Sequence, residues 1–421
     1  MRTNAVLVAL VFLRSALLHA EAPALTLQKA QEEARQHAPE RVVADAAVSA
    51  AKTRGAAAGR RFTHDPIVTG RYQQPAPGGG TDDRAWSVGL EWTLDFSGAW
   101  NSRRSGARAS VVAATEGRTT ALLDLDGEVA VTFAELADAQ RRLARSTQMV
   151  ALRDLAAKTA ERVRTAGEGN QLDVDAAMLD LRATQVDAAT VRGDLEASRA
   201  RLARLLGRRD STGLTAADEI DLSAVPASAA LADVVASDPR VKMATAELEA
   251  ARQLAEAERR AARPDLTVGI EGGRARHDIP AGAFPADRTL TGAWSEWEIA
   301  LSISVPLPIV NRNRIARATA AADVLDAEAR LARVRADVAS GIDEARARLA
   351  AAIDAVNAAA DVPQIIERES VLLEKALRAG GVELAVFAQQ AHRLVEVGRV
   401  YDDAVLSLRR ARATWTRLAV H

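Results

Sequence analysis

Two kinds of hydrophobic pattern run along the chain, and each appears twice. The first has period two. Trp86, Val88, Leu90, Trp92, Leu94 and Phe96 alternate with Ser87, Gly89, Glu91, Thr93 and Asp95. Trp297, Ile299, Leu301, Ile303, Val305 and Leu307 alternate in the same way with Glu298, Ala300, Ser302, Ser304 and Pro306. Such alternation predicts strands at 86–96 and 297–307, each with one apolar and one polar face. Weaker patterns predict partner strands at 66–73 and 264–272, across loops rich in glycine and proline.

The second pattern has period seven. Leu122, Val129, Leu136, Leu143 and Val150 form one series, and Phe387, Leu394, Tyr401, Leu408 and Trp415 another. Between them Leu181, Ala188, Leu195 and Leu202 recur with Thr184, Val191, Ser198 and Leu205 three positions later. Sustained heptads predict long helices packed as left-handed coiled coils. Alanine and serine in the seams let helices approach closely and form a wall. A helix from Ala99 to Ala166 would extend about 100 Å. The helices predicted at 40–61 and 171–206 match it roughly when stacked end to end.

The two patterns come in one order, used twice: residues 25–206 and 231–419. Each copy opens with a short helix leading to a proline, Pro39 or Pro239, and an Ala-rich helix ending near Pro66 or Pro264. A strand, a loop, a second strand and a long helical hairpin follow. The predicted organisation is a first repeat at 21–206 with its hairpin at 99–206, a linker at 207–230, and a second repeat at 231–421 with its hairpin at 312–419. Repeats of this kind signal an architecture built from a duplicated unit.

The alternating strands are about the 9 to 11 residues that a tilted outer-membrane strand needs, and their terminal tryptophans suit an interfacial girdle. A strand of a soluble sheet would show the same alternation. Four strands are too few to close a barrel. Either they pack on the helices, or three chains pool twelve.

Composition narrows the choice. Residues 1–20 have the layout of a secretory signal peptide: Arg2, an apolar run over 5–13, a second patch at 16–18 and small residues around Ala20. Arg14 cuts the run short of a spanning helix. There is no cysteine, which excludes disulfides, thiolate metal sites and a cysteine-linked lipid. The net charge of −1 advertises no nucleic-acid partner. An exported chain of this kind fits the periplasm or outer membrane, where insertion must be by strands.

Enzymatic chemistry has no residues to stand on: there is no P-loop, dinucleotide fingerprint, nucleophile elbow or zincin motif, and no catalytic residue or cofactor is expected. His37, His64, His277, His392 and His421 show no metal-ligand spacing, so no metal site is expected. Paired carboxylates such as Asp402 and Asp403 read as a solvated helix face.

Taken together, these segments resemble the TolC-like outer-membrane efflux proteins, most closely the CzcC-like branch associated with heavy-metal and cation efflux. The resemblance is carried by LTLQKAQEEARQHAPE (25–40), RPDLTVGIEGG (263–273), SVPLPIVNRNRIARATAAA (304–322), AERVRTAGEGNQLDVDAAMLDLRATQVDAA (160–189) and LRAGGVELAVFAQQAHRLVE (377–396). It implies a mainly α fold with a transmembrane β part. Three chains would form a twelve-stranded β-barrel in the outer membrane and a twelve-helix α-barrel across the periplasm. The linker would join an equatorial belt. An inner-membrane pump of the resistance-nodulation-division type and a periplasmic adaptor would be the partners, together with outer-membrane lipid.

The resemblance also assigns candidate sites. The turns at Gly167, Glu168 and Gly169, and at Gly380, Gly381 and Glu383, would form the periplasmic tip that meets the adaptor. Glycine there permits the positive φ of a helix end. Asp173, Asp175 and Gln389 are the candidate aperture residues. Asp173 matches the family's acidic position, whereas Val386 and Gln389 occupy aspartate positions and Val382 an arginine position. Glu91, Asp95, Glu271 and Glu298 would face the lumen of the β-barrel. Drug efflux, type I secretion and, in another class, a soluble periplasmic coiled-coil scaffold or adaptor are the alternatives.

Overall fold

The computed structural model describes residues 24–58, 65–74, 84–217, 220–223, 231–279, 292–306 and 313–419. The signal peptide expected at 1–20 lies outside them, as do His64 and His421. In chain order the elements are α1 (Leu27–His37), α2 (Pro39–Ala58), β1 (Ile67–Gln73), β2 (Arg84–Leu94), α3 (Ala99–Thr165), α4 (Gln171–Leu205), α5 (Leu231–Ser237), α6 (Pro239–Arg260), β3 (Leu266–Ile279), β4 (Gly292–Ser304), α7 (Arg314–Ala358), α8 (Val362–Ala379) and α9 (Leu384–Ala419). The described residues are mainly α with one four-stranded sheet. Two compact units are present, one from Met1–Asp45, Arg118–Asp238 and Ala336–His421, the other from Ala46–Gly117 and Pro239–Arg335.

The first unit is helical, and its core follows the heptads. Leu125, Val129, Phe133 and Leu136 of α3 pack with Leu195, Leu202 and Leu205 of α4, and Ala30 and Ala34 of α1 close the cluster. Alanine suits α1 because a thin side chain lets this short helix lie against two long ones. A second cluster joins Met149, Leu152 and Ala156 of α3 to Leu373 and Leu377 of α8 and to Phe387, Ala391 and Leu394 of α9. Residues 207–223 fold onto this unit where they are described. Arg199 donates to the Leu214 carbonyl at 3.0 Å, and Arg412 donates to the Ser223 carbonyl at 2.6 Å and pairs with Asp221 at 2.9 Å.

The hairpin predicted at 312–419 is interrupted. Its first arm breaks into α7 and α8 at 359–361, and Pro363 sits in the first turn of α8. Proline has no N–H for a continuing helix but fits a helix start, where that donor would be unused.

The second unit holds the sheet, antiparallel throughout in the order β1-β2-β3-β4. Helices precede β1 and β3 and follow β2 and β4, so one end of the sheet is the helix end and the other the hairpin end. Strand bounds differ from the alternation at that hairpin end: β3 continues to Ile279 and β4 begins at Gly292. Backbone pairing goes on there while the outward positions turn polar or small, at Arg274, Arg276, Ser295 and Ala293, so the hydrophobic signal stops before the strand does. Near the helix end, Gly106 of α3 lies so close to α6 that a Cβ would stand 3.3 Å from the Ala250 carbonyl.

Candidate conduction surfaces

The sheet's register sorts its residues onto two faces, because directly paired residues share a face. On the polar face, rows of neighbours read Thr93, Thr267, Ser304; then Ile67, Glu91, Gly269, Ser302, with Ile67 its one large apolar residue in these rows; then Thr69, Gly89, Glu271, Ala300; then Arg71, Ser87, Gly273, Glu298; then Gln73, Ala85, Ala275, Glu296. Glu91, Glu271 and Glu298 therefore lie on one surface. Ser87 donates to Glu271, Arg71 approaches the same carboxylate at 3.7 Å, and the Thr93 and Thr267 hydroxyls are 3.0 Å apart. Glu296 belongs to this face as well and meets His277 Nε2 at 3.3 Å. Its signal was its place two residues before Glu298, beyond the first alternating tryptophan.

Asp95 does not join them. It follows the end of β2 and turns toward the start of α3, accepting from Ser97 N at 2.9 Å and pairing with Arg103 at 3.1 Å. A short acid that bonds the backbone two residues on builds a turn, so it fastens the strand to the helix instead of lining a lumen.

The opposite face is apolar from Leu94 and Leu266, through Trp92, Val268 and Ile303, Val68, Leu90, Ile270 and Leu301, and Val88 and Ile299, to Tyr72, Trp86 and Trp297. No described residue covers its middle: Ile299 is 80% and Leu301 71% exposed. The described residues pair neither the outer edge of β1 nor that of β4.

The two helical turns share one construction. Gly167 has φ 81°, its N–H donates to the Arg164 carbonyl at 3.0 Å, and Glu168 N–H donates to Val163 at 3.1 Å. Gly380 has φ 70°, its N–H donates to Leu377 at 3.3 Å, and Gly381 N–H donates to Ala376 at 2.9 Å. Both helices thus close their last carbonyls on a left-handed glycine. Gly169 packs against Val163. Asn170 caps α4 by accepting from Asp173 N at 2.9 Å, which leaves the Asp173 carboxylate exposed in the first turn. Asp175 accepts from Gln171 at 2.8 Å, and Glu168, Glu383 and Gln389 are exposed. No hydrogen bond or ion pair among the described residues joins Asp173, Asp175 and Gln389.

Arg153 links three helices. From α3 it pairs with Asp180 of α4 at 2.7 Å, donates to the Ala388 carbonyl of α9 at 3.3 Å, and lies 5.9 Å from the Phe387 ring centroid. Three residues after Val150, it stands at a heptad position where an apolar residue belongs, and that misfit was the sequence signal for it. Asp402 corrects the solvated reading of the carboxylate pair. Its side chain is 0% exposed and bound by Arg145, while Asp403 is exposed and pairs with Arg142 at 2.8 Å.

The family described as "Outer membrane efflux protein" matches residues 30–208 and 230–417. The chain is an outer membrane efflux protein. The open-state MtrE outer membrane channel of Neisseria gonorrhoeae superposes on it with a TM-score of 0.73 at 19% identity, over 93% of this chain and 88% of that one. VceC of Vibrio cholerae gives 0.71 at 17%, over 93% and 95%, and CusC gives 0.72 at 17%, over 93% and 91%. No curated protein matches the chain in sequence.

This efflux protein therefore resides in the outer membrane as a TolC-like channel, and channels of its family are transport ducts that extend into the periplasm. Among its described residues no three His, Asp or Glu side chains converge as a metal site.

Proposed function

We propose that three copies of this efflux protein close one twelve-stranded barrel and one twelve-helix tunnel, the passive exit duct of a tripartite system exporting heavy-metal cations. The carrying observation is the open sheet, with two edges that the described residues leave unpaired, one acidic face and one largely bare apolar face. An exposed edge is a template for another strand, and joining β4 of one copy to β1 of the next turns every edge inward. Closure with the apolar face outward puts Glu91, Glu271, Glu296 and Glu298 on the lumen, where acidic rings favour cations.

The helices support the same assembly. Leu172, Leu179 and Val186 of α4, seven residues apart, are 75%, 71% and 66% exposed, and Ile315 and Leu325 of α7 are also bare. Apolar stripes of this kind call for helices from another copy or from a partner. In this reading the repeats at 21–206 and 231–421 are equivalent wall segments, and 207–230 contributes to a belt around them. The turns at 167–169 and 380–383 meet a periplasmic adaptor, and Asp173, Asp175 and Gln389 border the aperture. An inner-membrane pump of the resistance-nodulation-division type supplies the energy.

The preference for metal cations rests on the CzcC-like resemblance and the acidic sheet face. The test is the detergent-solubilised mass of the protein followed by planar-bilayer recording. A trimer is expected, with a reversal potential on the cation-selective side that moves toward zero in Glu271→Gln/Glu296→Gln/Glu298→Gln. A monomer without conductance overturns the duct. A deletion strain no more sensitive to zinc, cobalt, cadmium, nickel, copper or silver overturns the cargo.

A further inference from the structure

At the hairpin end of the sheet the apolar face ends abruptly in arginine. Tyr72, Trp86, Arg274 and Trp297 form one cross-strand row, and Arg84, Arg276 and Ser295 form the next. The two indoles meet edge to face with centroids 5.9 Å apart and planes at 86°. Arg274 lies between them in the register, with its guanidinium carbon 5.7 Å from the Trp297 centroid and a 3.2 Å hydrogen bond to Ser295 Oγ. Ring and hydroxyl hold the guanidinium while the side chain stays exposed.

Depth makes this row informative. Eight residues separate Leu94 from Trp86, about 20 Å along the membrane normal for a strand tilted as in outer-membrane barrels. That is close to the full height of the apolar band, so the tryptophans stand at its rim and the arginines at headgroup level. Because the helices leave from the other end of the sheet, this rim lies in the leaflet facing the exterior, whose lipids are phosphorylated glycolipids. Arg84, Arg274 and Arg276 stand in adjoining rows of this face. Guanidinium matches phosphate bidentately, and a basic cluster at a membrane rim recognises anionic headgroups.

We propose that Arg274, flanked by Trp86 and Trp297 and supported by Arg84 and Arg276, forms a binding site for the phosphate of an outer-leaflet glycolipid. The indoles lie along the acyl chains, and the arginine row holds the headgroup. The site rests on the reading that the apolar face meets lipid.

The mature protein would be purified in mild detergent and its retained lipid phosphate measured. Its unfolding midpoint would then be followed with added diphosphorylated lipid A, with the same glycolipid after dephosphorylation, and with inorganic phosphate. The phosphorylated glycolipid alone is expected to raise the midpoint. Arg274→Gln and Arg84→Gln/Arg276→Gln should keep the wild-type detergent-solubilised mass yet lose retained phosphate by about fivefold per arginine. Arg274→Lys should retain an intermediate amount. Unchanged retention in the variants, or an equal rise with the dephosphorylated lipid or with free phosphate, overturns the site. A wild-type protein that stays in solution without detergent instead overturns the lipid-facing sheet on which the site depends.

Discussion

Arg145 of α3 holds the fully buried carboxylate of Asp402 on α9 by two hydrogen bonds, one of them 3.1 Å long between Nη2 and Oδ1. Gly398, one turn before Asp402, leaves the space: a Cβ there would stand 2.7 Å from Arg145 Nη1. Removing one partner of a buried pair strands the other charge, at a cost of about 3 to 5 kcal/mol. Arg145→Ala should show that loss in denaturant unfolding, and Gly398→Val should show much of it by displacing the guanidinium. Arg145→Met/Asp402→Leu should recover most of the stability. A double variant as weak as Arg145→Ala would mean that the pair is not the cause.

Asp138, one helical turn before Arg142, responds to pH in a defined direction. Burial pushes its carboxyl above the usual range, Arg142 opposes the rise, and the neighbouring charge of Asp402 adds to it. An acid raised on folding contributes stability that is fully present below its unfolded pKa of about 3.9 and is lost as pH rises through the folded value. Asp138→Asn is therefore expected to raise the unfolding midpoint at pH 7, with the difference shrinking toward pH 3. A lower midpoint at pH 7 would show that the contacts to Arg141 and Arg142, at 3.5 and 2.9 Å, outweigh burial.

Leu301, in the middle of the apolar face, tests the lipid contact. Leu301→Arg places a cation near the midplane, at about 2 to 4 kcal/mol. The yield of folded protein in the outer-membrane fraction should fall several-fold. Ser302→Arg, one residue on and on the polar face, should be tolerated. Equal effects of the two would contradict the face assignment.

Arg153 ties α3 to α4 and α9, so its loss should loosen those helices together. Arg153→Ala is expected to raise open probability in bilayer recordings and to speed amide exchange around Asp180 and Ala388. Unchanged gating with unchanged exchange would make it a packing residue without mechanical consequence.

Period seven and period two made the long helices and the sheet faces legible, because a residue's face depends only on spacing along its own element. Glu91, Glu271 and Glu298 could be placed on one surface for that reason, and the glycine turns could be located from composition. Asp95 was misplaced because alternation does not report where pairing stops. Asp402 was misread because one sequence cannot say which face of a charged helix another helix covers.

What the sequence determined by itself was thus local: two copies of a strand pair and a helical hairpin, with an apolar and a polar side to each strand. What only the tertiary structure decided was partnership: Arg145 with Asp402, Arg153 with Asp180 and Phe387, Arg274 between two tryptophans. These meetings join residues up to hundreds of positions apart. They depend on the register and rotation of whole elements, which the packing of many side chains settles at once.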